Sequence, residues 1–305
     1  MTKLDKIMMT RMRIQLFMLG LMAVLAVAKT PLFNEQTAFE YLEKQCAFGP
    51  RNPGSDGHQK CLAFLIAELK KSTDHVETQQ FTQMLPVQSK MADMTNVIAH
   101  FGTGSSPVIL CAHWDTRPVA DEDPDPSRHH EPILGANDGA SGVAVLLEMA
   151  RLFKSSPPPV PVDIVLFDGE DAGIGHDPDS WCLGSKFYSE SPKVKRFARF
   201  AVLLDLIGDQ DQHLPVEYYS KTYAPHVVDR VWGIAESLGI SAFSRDIGTA
   251  VVDDHLNLLR AGIPTVDIID FDYPYWHTMG DTPEHCSEES LGNIGRVLVQ
   301  LIYYP

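Results

Sequence analysis

The chain has 305 residues, enough to bury the core of one domain, since about 300 residues is near the upper limit for a single core. With Lys+Arg 25 against Asp+Glu 40, the formal net charge is -15. No basic stripe is present, so a nucleic-acid partner is excluded. At the N-terminus, Lys3, Lys6, Arg11 and Arg13 precede an apolar run from Ile14 to Val27, and Ala26-Val27-Ala28 fits a small-residue cleavage site. The run is too short to span a bilayer, so residues 1–28 read as a signal peptide and residues 29–305 as the mature domain. Such a chain is exported, periplasmic or secreted, without stable membrane insertion after cleavage. The five cysteines are an odd number for an oxidising compartment, which leaves at least one unpaired, and none has CxxC spacing. Cys111, inside an apolar strand, reads as a small buried residue.

In chain order, Phe39, Leu42 and Phe48 mark a short amphipathic helix with Asn34 as its cap, and helical spacing resumes from Cys61 to Leu69 after the turn-rich Arg51–Gly57 stretch. Two strands are expected at His75 to Phe81 and Asn96 to Phe101. A third, Val108 to Ala112, delivers His113-Trp-Asp115 at its end. Val119 to Ile133 is a long polar loop, where the paired His129 and His130 read as solvated surface. The glycines of Leu134–Gly142 allow close backbone approach and put Asp138 at the entrance of a helix spanning Val143 to Phe153. After the proline-rich Ser155–Pro161 connector comes the apolar run Val162 to Phe167, which ends in Asp168, Glu170 and Asp171. Strand, crossover helix and strand imply a parallel pair. Carboxylates at the carboxyl edge of a parallel sheet stand where open α/β folds bind ligands.

A short helix is expected over Trp181 to Ser189, and the buried strand Ala201 to Leu204 again ends in an acid, Asp205. Helices at Pro225 to Leu238 and Asp254 to Leu259 lead to a last strand, Ile263 to Ile269, and to Tyr273-Pro-Tyr-Trp-His-Thr278. A helix capped by Ser287 closes the fold. The expected architecture is α/β: a single-domain three-layer sandwich with a central mixed, mostly parallel sheet flanked by helices. Strand ends and loops together supply His113, Asp115, Asp138, Glu170, Asp171, Asp205, Asp253, Asp254, His255 and His277. Several carboxylates with one or two imidazoles suit zinc, and a catalytic zinc keeps a position open for substrate or water.

His113-Trp-Asp115, Asn137-Asp-Gly-Ala-Ser-Gly142, Phe167-Asp-Gly-Glu-Asp171, Leu203–Gly208 and Trp276-His-Thr278 together resemble the zinc aminopeptidase-type α/β family. Within it they are most similar to the branch of animal-type glutaminyl-peptide cyclotransferases. Pro50–Ser55, Met94–Val97 and Asp253-Asp-His255 extend the resemblance from about Cys46 to Leu301. It implies Asp138, Asp171 and His277 as ligands of one Zn2+ per chain, Glu170 as the acid/base, and Asp205 as the holder of the substrate's amino group, oriented by a hydrogen bond with Asp253. Trp276, with Trp181 and Tyr273, would contact the substrate. The implied partners are peptide or protein substrates with an N-terminal Gln, cyclised to pyroglutamate with release of ammonia.

The chain departs from that branch in three places. It has Asp171 where a second Glu is usual, His176 where the animal enzymes have a tryptophan, and Asp267 where they have a histidine. The residues leave open a two-zinc aminopeptidase in which His113, Asp138, Asp171, Asp205 and His277 share the metals and Glu170 serves a bridging water. A non-catalytic binding ectodomain would be expected to lack Glu170 or a ligand, and none is missing.

Overall fold

The computed structural model describes residues 31–175, 177–191 and 198–304. The expected signal peptide and His176 lie outside the described residues. The described chain opens with α1 (Glu35–Cys46) and α2 (Asp56–Ser72). Asn34 caps α1 by accepting from Thr37 N at 3.0 Å, and Ser55 caps α2 by accepting from His58 N at 3.1 Å. Each cap satisfies an N–H that the first helical turn leaves unpaired. Next come β1 (Val76–Leu85), β2 (Lys90–Phe101), β3 (Val108–His113), α3 (Ala140–Ser155), β4 (Val162–Phe167), α4 (Leu183–Glu190) and β5 (Phe200–Asp205). The remainder is β6 (Leu214–Val216), α5 (Tyr218–Tyr223), α6 (Pro225–Ser237), β7 (Phe243–Ile247), α7 (Asp254–Arg260), β8 (Thr265–Ile269) and α8 (Glu288–Tyr303).

Six strands form one sheet in the order β1-β2-β4-β3-β5-β8. β4, β3, β5 and β8 are mutually parallel, while β2 pairs antiparallel with both β1 and β4. The mixed, mostly parallel sheet of the expected sandwich is thus present, with the hairpin on one edge. Period two sorts the strand side chains between two cores. Val108, Leu110 and Ala112 of β3 with Val162, Ile164 and Leu166 of β4 pack on the side of α1, α3 and α8. Ile109, Cys111, Val165 and Phe167 point the other way, to the side of α4 and α7. Burying one such aliphatic side chain contributes roughly 1.5–3 kcal/mol, so a one-residue slip of register would be prohibitive. Because β4, β3, β5 and β8 are parallel, their carboxyl ends share one edge.

Two expectations change, and two short strands are added. The first two strands are longer than Phe81 and Asn96 implied: they run as one continuous hairpin, turned at Pro86–Gln88 with Ser89 in the left-handed region at φ 51. The fourth helix begins at Leu183, because Cys182 sits at φ 56 and breaks helical geometry before it. The short β6 and β7, which pair with each other, carry too few residues for their periodicity to be read. Among the described residues, no helix is long and apolar enough to cross a membrane, and all five cysteines are free and buried.

Candidate functional site

The parallel strands deliver their terminal residues to one cleft of about 280 Å3, lined by Asp138, Glu170, Asp171, Asp205, Asp253 and His277 among others. Asp115, just past β3, is fully buried. Its Oδ1 accepts from Glu170 N at 3.1 Å and its Oδ2 from Asp171 N at 3.3 Å. It thereby ties the end of β3 to the loop after β4 and aims both carboxylates. Asp138 is held in the same manner from behind: Asn137 N and Asp138 N donate to Asp281 at 2.8 and 3.1 Å. Gly139 follows with φ 95, and a Cβ there would lie 2.7 Å from the His113 ring. Only glycine fits both the backbone and the space.

Asp138, Asp171 and His277 each offer a ligand atom, and those atoms lie within 4.8 Å of one another. His277 Nε2 is 3.0 Å from Asp171 Oδ1 and 3.6 Å from Asp138 Oδ2. Asp138 Oδ2 and Asp171 Oδ2 are buried without a hydrogen-bond partner. Two orphaned carboxylate oxygens beside an imidazole are costly unless a cation satisfies them, so the donor set fits a divalent metal. His277 has φ 53, a left-handed conformation uncommon for a non-glycine residue, which turns its ring toward the acids. Behind it, Nδ1 lies 3.6 Å from Asp121 Oδ1. Arg117 holds Asp121 through both carboxylate oxygens, at 2.8 and 2.5 Å.

The electrostatics separate neighbouring acids. Burial and then the charge of Asp171 push the Glu170 carboxyl well above the usual carboxylate range. Burial would raise Asp171 too, but the His277 imidazole overrides it and holds that carboxyl below the usual range. Burial works against protonation of His113, yet its contacts with Asp115, Asp138 and Asp205 raise its pKa well above the ordinary histidine value. One acid poised to carry a proton thus stands beside another poised to stay ionised.

Residues 96–302 match the family model described as Peptidase family M28. The chain belongs to that family. Among solved structures, the chain is similar to a Bacteroides thetaiotaomicron glutaminyl cyclase bound to N-acetylhistamine. The two are 36% identical with a TM-score of 0.87, over 91% of this chain and 100% of that one. A Zn-dependent exopeptidase from Parabacteroides distasonis is likewise 36% identical with TM-score 0.87, over 90% and 100% of the two chains. The glutaminyl-peptide cyclotransferase-like protein of Bos taurus is 25% identical, over 81% of this chain and 70% of the relative.

In this M28 chain the structure brings together Asp138, Glu170, Asp171, Trp181, Asp205, Asp253, Trp276 and His277 around one cleft. Trp276 stacks on His277 at 3.8 Å between ring centroids, and Trp181 lies parallel to the same imidazole at 6.0 Å. Tyr273 does not join them. It is not among the residues that line the cleft: it is 3% exposed and its hydroxyl donates to Asp281 Oδ1 at 3.0 Å, which props the Asp138 loop. The hydrogen-bond partner of Asp205 is His113 Nε2, at 3.1 Å, in place of the expected Asp253. Asp253 stands nearby as a second negative charge.

Sequence reasoning passed over Arg117, which is 2% exposed, donates to Asp171 O and Gly173 O at 2.9 and 3.1 Å, and stacks over Trp181 at 4.5 Å. It also passed over Cys182, whose thiol donates to Glu170 Oε1 at 3.4 Å. Arginine two residues past His113-Trp-Asp115 was a visible signal for the first. Nothing local marked the second.

Proposed function

We propose that this chain is a zinc-dependent glutaminyl-peptide cyclotransferase that converts the N-terminal glutamine of peptides and proteins to pyroglutamate and releases ammonia. The observation that carries this reading is the one cleft in which a metal-ready trio, a proton-poised Glu170 and two tryptophans meet. Asp138, Asp171 and His277 would hold the zinc. When bound, it supplies Lewis acidity to the substrate's side-chain amide. The substrate's own α-amine is the nucleophile, so no protein nucleophile is required. Glu170 takes the amine proton and passes it to the departing ammonia, a task that suits a carboxyl raised by burial. Asp205 accepts from the α-amine, and Trp276 and Trp181 wall the folded glutamine. Ring closure is intramolecular, so holding the chain folded supplies much of the rate.

Asp171 in place of a second Glu shortens one ligand arm. Arg117 fixes the backbone on which that arm stands. One zinc per chain is supported by His113: its Nε2 faces Asp138 Oδ1 at 3.2 Å and Asp205 Oδ1 at 3.1 Å, so an imidazole already engages Asp205. A two-zinc aminopeptidase is the second reading, because His113, Asp138 and Asp205 also have metal-donor spacing. Zinc analysis beside the mass of the product separates the two. A Gln-peptide is expected to lose about 17 Da, one ammonia, in protein holding one zinc per chain, and an acetylated amine is expected to abolish reaction. Free glutamine as the main product, with two zinc ions both needed, would sink the cyclase reading.

The protein acts outside the cytoplasm in this reading, as an exported, periplasmic or secreted enzyme. Its mature form begins near Lys29. N-terminal sequencing of exported protein checks this, and recovery of Met1 would contradict it.

A further inference from the structure

Glu170, the proton carrier of the proposed reaction, is fixed at its backbone from both sides. Its N–H donates to Asp115 Oδ1 at 3.1 Å, and its carbonyl oxygen accepts from Cys182 N at 3.0 Å. Its side chain makes one hydrogen bond among the described residues: the Cys182 thiol donates to Oε1 at 3.4 Å. That thiol stands on a firmly held frame. The Cys182 carbonyl oxygen accepts from Ser185 Oγ at 3.1 Å and from Asn257 Nδ2 of α7 at 3.2 Å. The loop after β4 and the helix α7 therefore fix the residue together.

Cys182 has φ 56, a left-handed conformation that disfavours any residue with a Cβ and that glycine takes freely. A side chain kept at such a position points to a use for its thiol. Burial and the charge of Glu170 push that thiol well above its ordinary value, so it keeps its hydrogen and is a donor in place of a nucleophile. Glu170, Cys182 and Asp253 also have donor atoms within 4.8 Å of one another. A metal there would need the thiolate, which the same burial disfavours.

We propose that Cys182 is a positioning residue for the acid/base: its thiol hydrogen bond holds Glu170 Oε1 and leaves Oε2 to take the proton from the α-amine and give it to the departing ammonia. That role rests on the cyclase reading. With one oxygen tethered, rotation about the last side-chain bond no longer exchanges the two, so the same oxygen faces the substrate through both proton transfers. A thiol suits the task because, as a weak donor, it orients the carboxylate while drawing little charge from it.

In the zinc-loaded protein, Cys182→Ala is expected to lower kcat on a Gln-peptide roughly 3- to 10-fold with KM little changed, the lower end of what a hydrogen bond to a charged group is worth, because a thiol donates weakly. Cys182→Ser restores a donor and should recover most of that loss. Zinc content should be the same in all three proteins. The infrared S–H stretch tests the contact itself and does not depend on the cyclase reading. Difference spectra of wild type against Cys182→Ser isolate the Cys182 band. The same subtraction in a Glu170→Leu background, where the acceptor is gone, should place that band at higher wavenumber. Any of three results overturns the inference: an Ala variant with unimpaired kcat, whatever its KM; a Ser variant as slow as the Ala variant; or an S–H band that is absent or that stays in place when Glu170 is replaced. A wild type that does not cyclise Gln-peptides overturns the functional reading alone and leaves the infrared result standing.

Discussion

Glu170→Gln is expected to cut kcat by roughly 10²-fold or more while the protein keeps its zinc, because the change removes a proton carrier and no ligand. The variant side chain is nearly isosteric, and Asp115 still holds the backbone N–H groups of residues 170 and 171. Folding should therefore be unaffected, and KM should change less than kcat. His277→Ala is the contrasting case. It removes the one imidazole of the Asp138–Asp171–His277 trio and should release the metal. Metal analysis and turnover on the same two preparations check the pair. Zinc lost from Glu170→Gln but retained in His277→Ala would mean that the roles are reversed.

Removing zinc by chelation is expected to lower Tm by about 10 °C at pH 8, and by much less at pH 5. A ligand that binds only the native state at 1,000 times its Kd contributes about 4 kcal/mol. At roughly 2–4 °C per kcal/mol for a domain of this size, that gives the stated shift. The pH dependence follows from the buried acids. Burial and the Asp171 charge raise Asp138, burial and Asp171 likewise raise Glu170, and Asp253 is pushed up to about 6. A carboxyl whose folded pKa is raised binds its proton more tightly in the native state. Its contribution to the stability of the metal-free protein is fully present below the unfolded value, near 4, and is lost as pH rises through the folded value. Metal-free protein should therefore weaken from about pH 5 upward, where zinc binds best because its ligands are deprotonated. Asp171 does not alter this window, since its lowered pKa keeps it ionised throughout. Calorimetric scans with and without chelator across that range decide the matter. A Tm difference that grows as pH falls would show that the acids are not coupled to the metal as described.

Several features were legible in the chain because local physics settles them. Apolar runs ending in acids at Phe167 and Leu204 mark buried parallel strands, and a strand's last residue must appear at the sheet's carboxyl edge. Asn34 and Ser287 announce helix starts by a side-chain hydrogen bond within three residues. The tryptophan and histidine of Trp276-His-Thr278 are adjacent in sequence and stay adjacent in space. What the tertiary structure alone decided are pairings between distant segments. That Asp205 meets His113, 92 residues away, that Tyr273 turns to Asp281, and that His255 stands between Glu217 and Asp267 depend on strand order and on which buried polar atoms find donors. Spacing carries the type and order of the elements because backbone periodicity is local. A buried acid's partner is chosen by the whole fold, since desolvation penalises every arrangement that leaves it alone.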